Sequence, residues 1–97
     1  MPRPIGFHPE ALAEAVAAAA WYRDRSARAA AAFEAEIAHA MNRIAAAPDR
    51  YPPYVDESRR ILLRRFPYAI IYRLNADTIE IVAIAHGRRR PGYWRHR

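Results

Sequence analysis

Three prolines within six residues, Pro48, Pro52 and Pro53, constrain this chain more than any other feature. Each lacks a backbone N–H and fixes φ, so no helix runs through them and no central strand contains them. They split the chain into two halves with different hydrophobic periods. Upstream, Phe33, Ile37, Ala40, Met41 and Ile44 recur at spacings of three and four, the period of a helix face. Glu34, Glu36, His39 and Arg43 fall largely elsewhere on that wheel. Downstream, the stretches 68–74 and 78–85 are rich in β-branched and aromatic residues and read as strands.

Local signals set the boundaries. His8-Pro9-Glu10 opens a first helix, with His8 as capping residue, Pro9 at the first position and an acid in the first turn. This helix is predicted from Pro9 to Asp24, with a core stripe of Leu12, Val16 and Ala19, completed by Tyr22 or Arg23. Phe7 and Leu12 stand where a hydrophobic staple would place them. Arg25-Ser26 is a break, and Ser26 caps a second helix predicted from Ala27 to Ala46. So short a break makes the two helices an antiparallel hairpin. Residues 3–7 form a short, weak edge strand. Arg60–Arg64 is a further strand, and Asn75-Ala76-Asp77 is the turn between the last two. Short links favour an antiparallel meander. The expected architecture is α+β: a short N-terminal strand, an antiparallel two-helix hairpin packed on a small antiparallel sheet, and a basic C-terminal tail, in one domain over residues 1–97.

Several chemistries are excluded or disfavoured. There is no cysteine, hence no disulfide and no thiolate chemistry. No apolar run is long enough to span a membrane. The Ala-rich stretch 11–20 contains Glu14 and follows Glu10, unlike a secretory signal, so a cytoplasmic location is expected. His8, His39, His86 and His96 are not at metal-ligand spacing and no carboxylate cluster joins them; neither a metal nor a cofactor is expected. A chain of 97 residues is marginally stable alone, which suits a permanent protein partner.

Charge is placed unevenly. All sixteen bases are arginines. Residues 1–58 hold six of them against eight acids, a net of −2; residues 59–97 hold ten against Asp77 and Glu80, a net of +8. The second half therefore suits a polyanionic or acidic partner. Its tail, residues 86–97, sets arginines around Tyr93 and Trp94, a composition fit for phosphates and unpaired bases. For metal-free RNA cleavage, His86 and Tyr93 would act as acid and base, while Arg88 and Arg89 would stabilise developing charge. Arg60 and Arg64 share strand parity and are expected on one face; with Arg65, Arg90, Trp94 and Arg95 they would extend a surface for the target or a nucleic acid. The competing reading has Tyr93 and Trp94 covering the sheet and the strand arginines protecting an edge.

The stretches Phe7-His8-Pro9-Glu10-Ala11, Phe66-Pro67-Tyr68-Ala69-Ile70-Ile71-Tyr72-Arg73 and Ile81-Val82-Ala83-Ile84-Ala85-His86-Gly87-Arg88-Arg89 resemble the toxins of the RelE/ParE superfamily, over nearly the whole chain. The resemblance implies a growth-inhibiting toxin neutralised by a cognate antitoxin, which Trp21, Tyr22, Arg59, Arg64 and Arg73 would contact. RelE-like members cut messenger RNA on the ribosome, and ParE-like members bind DNA gyrase. RelE-like members carry a catalytic arginine where this chain has Ala69. Arg89 matches their second catalytic arginine, and Tyr93 stands closer to it than their catalytic tyrosine does. The chain also lacks every lysine. It thus resembles ParE more closely, with a ribosome-dependent mRNA endoribonuclease as the alternative.

Overall fold

The computed structural model describes residues 3–97. The elements follow in the order β1 (Ile5–Phe7), α1 (Pro9–Arg23), α2 (Ala27–Ala46), β2 (Arg59–Leu62), β3 (Tyr68–Leu74) and β4 (Ile79–His86), with a single 3-10 turn at Val55–Glu57 before β2. Both helices begin where their capping residues place them. His8 Nδ1 accepts the Glu10 N–H at 3.1 Å, and Ser26 Oγ accepts the Ala29 N–H at 3.1 Å. These bonds satisfy donors that a helix N-terminus otherwise leaves free.

The sheet has the order β1-β4-β3-β2. β2, β3 and β4 form the expected antiparallel meander. β1 lies at one edge, as expected, but adds to β4 in parallel, so the sheet is mixed. The helical hairpin and two strands intervene between β1 and β4, so no tight turn forces them antiparallel. β2 ends at Leu62 and does not reach Arg64. The N–H groups of Arg64 and Arg65 donate instead to Glu36 Oε1 on α2, at 2.9 and 3.1 Å.

Alternation along β3 sends Tyr68, Ile70 and Tyr72 to the helices, and Ala69 and Ile71 to the opposite face. On β4 the alternation breaks. Tyr72 pairs with Ile81 and Ile71 with Ala83, which leaves Val82 as an extra residue. This bulge flips the parity, so Ile79, Ile81 and Ile84 all face the helices.

α1 is rotated relative to the expected stripe. It buries Ala11, Ala18 and Ala19, whereas Leu12 is 50% and Val16 62% exposed. Phe7 packs on the core, whereas Leu12, expected to staple to it, stays half exposed. The reason is Glu14, which occupies the inward face between Ala11 and Ala18. It accepts the Ile84 N–H at 3.0 Å, the Tyr93 hydroxyl at 2.7 Å and the Arg97 guanidinium at 2.8 Å. Small alanines on the same face let the helix approach the sheet closely enough for these bonds.

The second face of the sheet is covered by the C-terminal arm, residues 88–97. Trp94 is 1% exposed, packs with Ala69, Ile71, Val82, Ala83 and Ala85, and stacks on Tyr54. Arg97 fastens the arm, with Nη1 donating to Val82 O at 3.0 Å as well as to Glu14. Arg73 Nη1 donates to Arg97 O at 2.8 Å. Among the described residues, no helix is long and apolar enough to cross a membrane.

Glu14→Ala leaves three donors in a largely buried site without their acceptor. It is expected to lower unfolding stability by about 2–4 kcal/mol, read as a fall of about 10 °C or more in Tm by calorimetry. Tyr72 is buried and its hydroxyl donates to Pro48 O at 2.7 Å. Burial pushes its pKa up from 10 to about 12. Burial and the Glu14 carboxylate raise that of Tyr93 as well. Each phenol is raised above its unfolded value, so above about pH 10 the unfolded chain holds fewer protons. Stability should hold up to about pH 10 and fall as pH approaches 12. Urea titrations of Tyr72→Phe should show a shallower alkaline fall than the unsubstituted protein, alongside a loss of about 1 kcal/mol at neutral pH.

Candidate functional site

Tyr68 and His86, at the paired ends of β3 and β4, stand edge to face with ring centroids 5.0 Å apart. They form a ridge between two grooves. The first, of about 450 Å³, lies beside α1 and is lined by Glu14, Ala17, Ala18, Trp21, Tyr22, Ile84 and Arg89. The second, of about 400 Å³, lies on the sheet face that the C-terminal arm shares. Its lining includes Ala69, Ile71 and Ala85 from the strands, Leu62 from the edge strand, Trp94 from the arm, and Arg60 and Arg89. A third groove, of about 680 Å³, runs between α2 and β2 and is lined in part by Glu36, His39, Arg43, Arg64 and Arg65.

His86, Arg89 and Arg60 therefore meet around the second groove, as a shared surface requires. His86 Nδ1 accepts the Arg88 N–H at 3.1 Å, which leaves Nε2 as the nitrogen free to act outside the chain. The guanidinium of Arg60 sits 4.1 Å over the Tyr54 ring, and that of Arg89 sits 3.8 Å over the Tyr93 ring. Neither has an acidic partner among the described residues. Arg88, Arg90 and Arg95 are exposed around the arm.

Other expected site residues are placed differently. Trp94 is buried beneath the arm, so it has no free face for an unpaired base; its apolar surface completes the second core instead. Tyr93 is held by its hydroxyl bond to Glu14, and its pKa is raised by burial and that bond, both of which oppose proton transfer at neutral pH. Arg60 and Arg64 do not share a face, because β2 stops at Leu62 and the chain turns toward Glu36; they line different grooves. Arg59 is used internally, donating to the carbonyls of Tyr51 and Asp49. Arg73 pairs with Asp56 at 3.6 Å and holds Arg97 O. Tyr22 packs between Phe33 and Phe66 and makes an edge-to-face pair with Trp21. Of the residues expected to meet an antitoxin, Trp21 and Arg64 are exposed; Arg59 and Arg73 brace the domain. Among the described residues, no three metal-ligating side chains cluster.

Glu14, Tyr54 and Arg97 organise this region and were not singled out as site residues. Glu14 lies three residues after Ala11 and four before Ala18, on the alanine side of α1 and off its Leu12–Val16 stripe, so the helical pattern alone does not turn it inward. Nothing in the sequence alone pairs it with Arg97, which is 83 positions away.

The fold matches a chain of the chromosomal ParDE TA system from P. aeruginosa, with a TM-score of 0.75, 19% identity, and coverage of 87% of this chain and 95% of that one. At that identity the match shows the fold alone. Proteins named Toxin ParE2 from Mycobacterium tuberculosis, strains CDC 1551 / Oshkosh and H37Rv, are 39% identical over 49 residues. That alignment takes in 50% of this chain, and the chain spans about half the length of these curated relatives, 47%. The family model of the ParE toxin of type II toxin-antitoxin systems, parDE, matches residues 5–91, and the chain belongs to this family.

The burial of Trp94 gives a direct check on how tail variants are to be read. Trp94→Ala should cost about 3–5 kcal/mol and unfold much of the protein. Arg90→Ala, on the exposed side of the same arm, should stay within about 0.5 kcal/mol of the unsubstituted protein. Thermal unfolding followed by near-ultraviolet circular dichroism distinguishes the two.

Proposed function

We propose that this protein is the toxin of a type II toxin–antitoxin module, that it arrests growth by binding DNA gyrase, and that a cognate antitoxin holds it inactive. Family membership supports a toxin with an antitoxin partner. The observation that favours binding over RNA cleavage is the state of the second groove. Its floor is Ala69, where RelE-like nucleases would bring an arginine. The tyrosine nearest Arg89 has its hydroxyl committed to Glu14, and the tail's tryptophan is buried. His86, Arg89, Arg60 and the Tyr68 phenol border the groove, but position 69 supplies no arginine where RelE-like nucleases carry one, and the tyrosine of the tail is committed to Glu14. A surface of unpaired arginines around small apolar grooves suits protein recognition, in which charge speeds encounter and apolar anchors hold the complex. The antitoxin reading draws on the exposed Trp21 beside the first groove and on Arg64 and Arg65 beside the third.

Inducible expression in an antitoxin-free bacterial strain tests the target. Labelled precursors should show DNA synthesis stopping before protein synthesis, with cells forming filaments. Purified protein should inhibit gyrase supercoiling at concentrations that match the growth effect. If protein synthesis stops first and supercoiling is unaffected, the gyrase reading fails and the ribosome becomes the target.

A further inference from the structure

α1 is apolar on both of its sides. Between Ala11 and Tyr22 its one charged side chain is Glu14, and that carboxylate points inward, to the Ile84 N–H, Tyr93 and Arg97. The inward side, Ala11, Ala18 and Ala19, is buried in the core. At about 100° per residue, Ala13, Val16, Ala17 and Ala20 lie on the opposite side, with Leu12 at its flank. All five are exposed, Val16 by 62% and Leu12 by 50%. α2 is built differently, with Arg28, Glu34 and His39 on its exposed side. A helix that is hydrophobic all round is one covered all round. The outer side of α1 therefore calls for a neighbour that the single chain does not supply.

We propose that the outer side of α1 packs against the same side of a second copy of this chain, antiparallel, about a twofold axis near Val16 and Ala17.

The surface is complementary to itself. Ala13, Ala17 and Ala20 let two helix backbones approach closely, and the larger Leu12 and Val16 flank them, which gives the ridge and groove that helix pairs interlock. With the axis near Val16 and Ala17, these residues meet their own counterparts, and Ala13 faces Ala20 of the second copy. Charge fits at the ends. Antiparallel pairing sets the N-terminal end of each helix, where the Glu10 side chain is 65% exposed, beside the C-terminal end of the other, where that of Arg23 is 54% exposed. The helix dipoles then also oppose. The outer side of α1 faces away from the sheet and belongs to the half of the chain with a net of −2, so the two halves carrying +8 stay apart. An acidic peptide or a nucleic acid finds no cation on this stripe, whose chemistry selects another apolar helix. Trp21 stands off the stripe, beside the first groove, with the Arg25 guanidinium 3.5 Å over its ring. Pairing through α1 needs neither target nor antitoxin and leaves the sheet face open. A stripe one helix wide is smaller than the roughly 800 Å² per partner of a standard interface, so dissociation in the micromolar range is expected.

Sedimentation equilibrium of the purified full chain, from low micromolar to submillimolar concentration, tests the pairing. The mass is expected to rise from 11.1 kDa to twice that value. Val16→Glu and Ala17→Glu should weaken self-association at least tenfold. Ala38→Glu, the same kind of change on the exposed side of α2, should leave it within twofold. Circular dichroism checks that each variant remains folded. The chain has no cysteine, so single introduced thiols report direction. Ala17→Cys should cross-link to itself on oxidation. Ala13→Cys and Ala20→Cys should cross-link when mixed and not alone. Antiparallel pairing sets like copies of either position about 10 Å apart along the axis, beyond the Cα separation of about 4.4–6.8 Å that a disulfide spans. A chain that stays monomeric throughout, or a dimer that both glutamate variants leave within twofold, overturns the proposal. Cross-linking of Ala13→Cys and of Ala20→Cys each to itself overturns the antiparallel pairing. If the unsubstituted chain is monomeric and Val16→Glu binds the cognate antitoxin at least tenfold more weakly, the antitoxin covers this face instead. If it is monomeric and Val16→Glu loses growth arrest with antitoxin affinity unchanged, the target does.

Discussion

Glu14 accepts hydrogen bonds from the backbone of β4, from Tyr93 and from Arg97, so one carboxylate on α1 joins the helix, the sheet and the C-terminal arm. The need for it follows from strand lengths. β4 runs through His86, but β1 pairs with it only as far as Ile81. The rest of that edge would expose backbone groups to water or to another chain. Glu14 and Arg97 supply two of the missing partners, at the Ile84 N–H and the Val82 carbonyl. That carbonyl belongs to the bulged residue, so the irregularity in β4 and the anchoring of the arm are one feature. Largely buried and mutually satisfied, the network is stable as a whole and costly to break in part.

Anchoring the arm has a consequence for chemistry. It draws Trp94 under the sheet and fixes Tyr93 against Glu14, which removes from the surface the two aromatics that make the tail look like an RNA-contacting segment. Arg88, Arg89, Arg90 and Arg95 of the same segment stay outside. The sheet face then presents cations around an apolar floor. The ridge of Tyr68 and His86 divides that surface into two grooves, and Arg89 borders both.

Much of the architecture was legible because it rests on local rules. Pro9, Ser26 and the proline cluster fixed both helices to within a residue, and β-branched runs located β3 and β4. The misplacements arose where long-range contacts overrode local pattern. The Leu12–Val16 stripe is the more hydrophobic side of α1, yet three hydrogen bonds to Glu14 rotate the alanine side inward. Parity arguments placed Arg60 with Arg64, but they assume a continuous strand, and Glu36 ends β2 early by capturing two backbone N–H groups. The tail was ambiguous in principle: Tyr and Trp among arginines suit a base-stacking surface and a sheet cover equally. Only the geometry of residues far apart in sequence decides between them.

The most direct test of the proposed function is a cleavage map of messenger RNA in a reconstituted translation system supplied with the purified protein. If the arginine-rimmed face binds a protein target and does not cut RNA, no protein-dependent 5′ ends appear in ribosome-bound message at concentrations that arrest growth. Discrete cleavage within ribosome-bound codons, lost in Arg89→Ala or Tyr93→Phe, would contradict it.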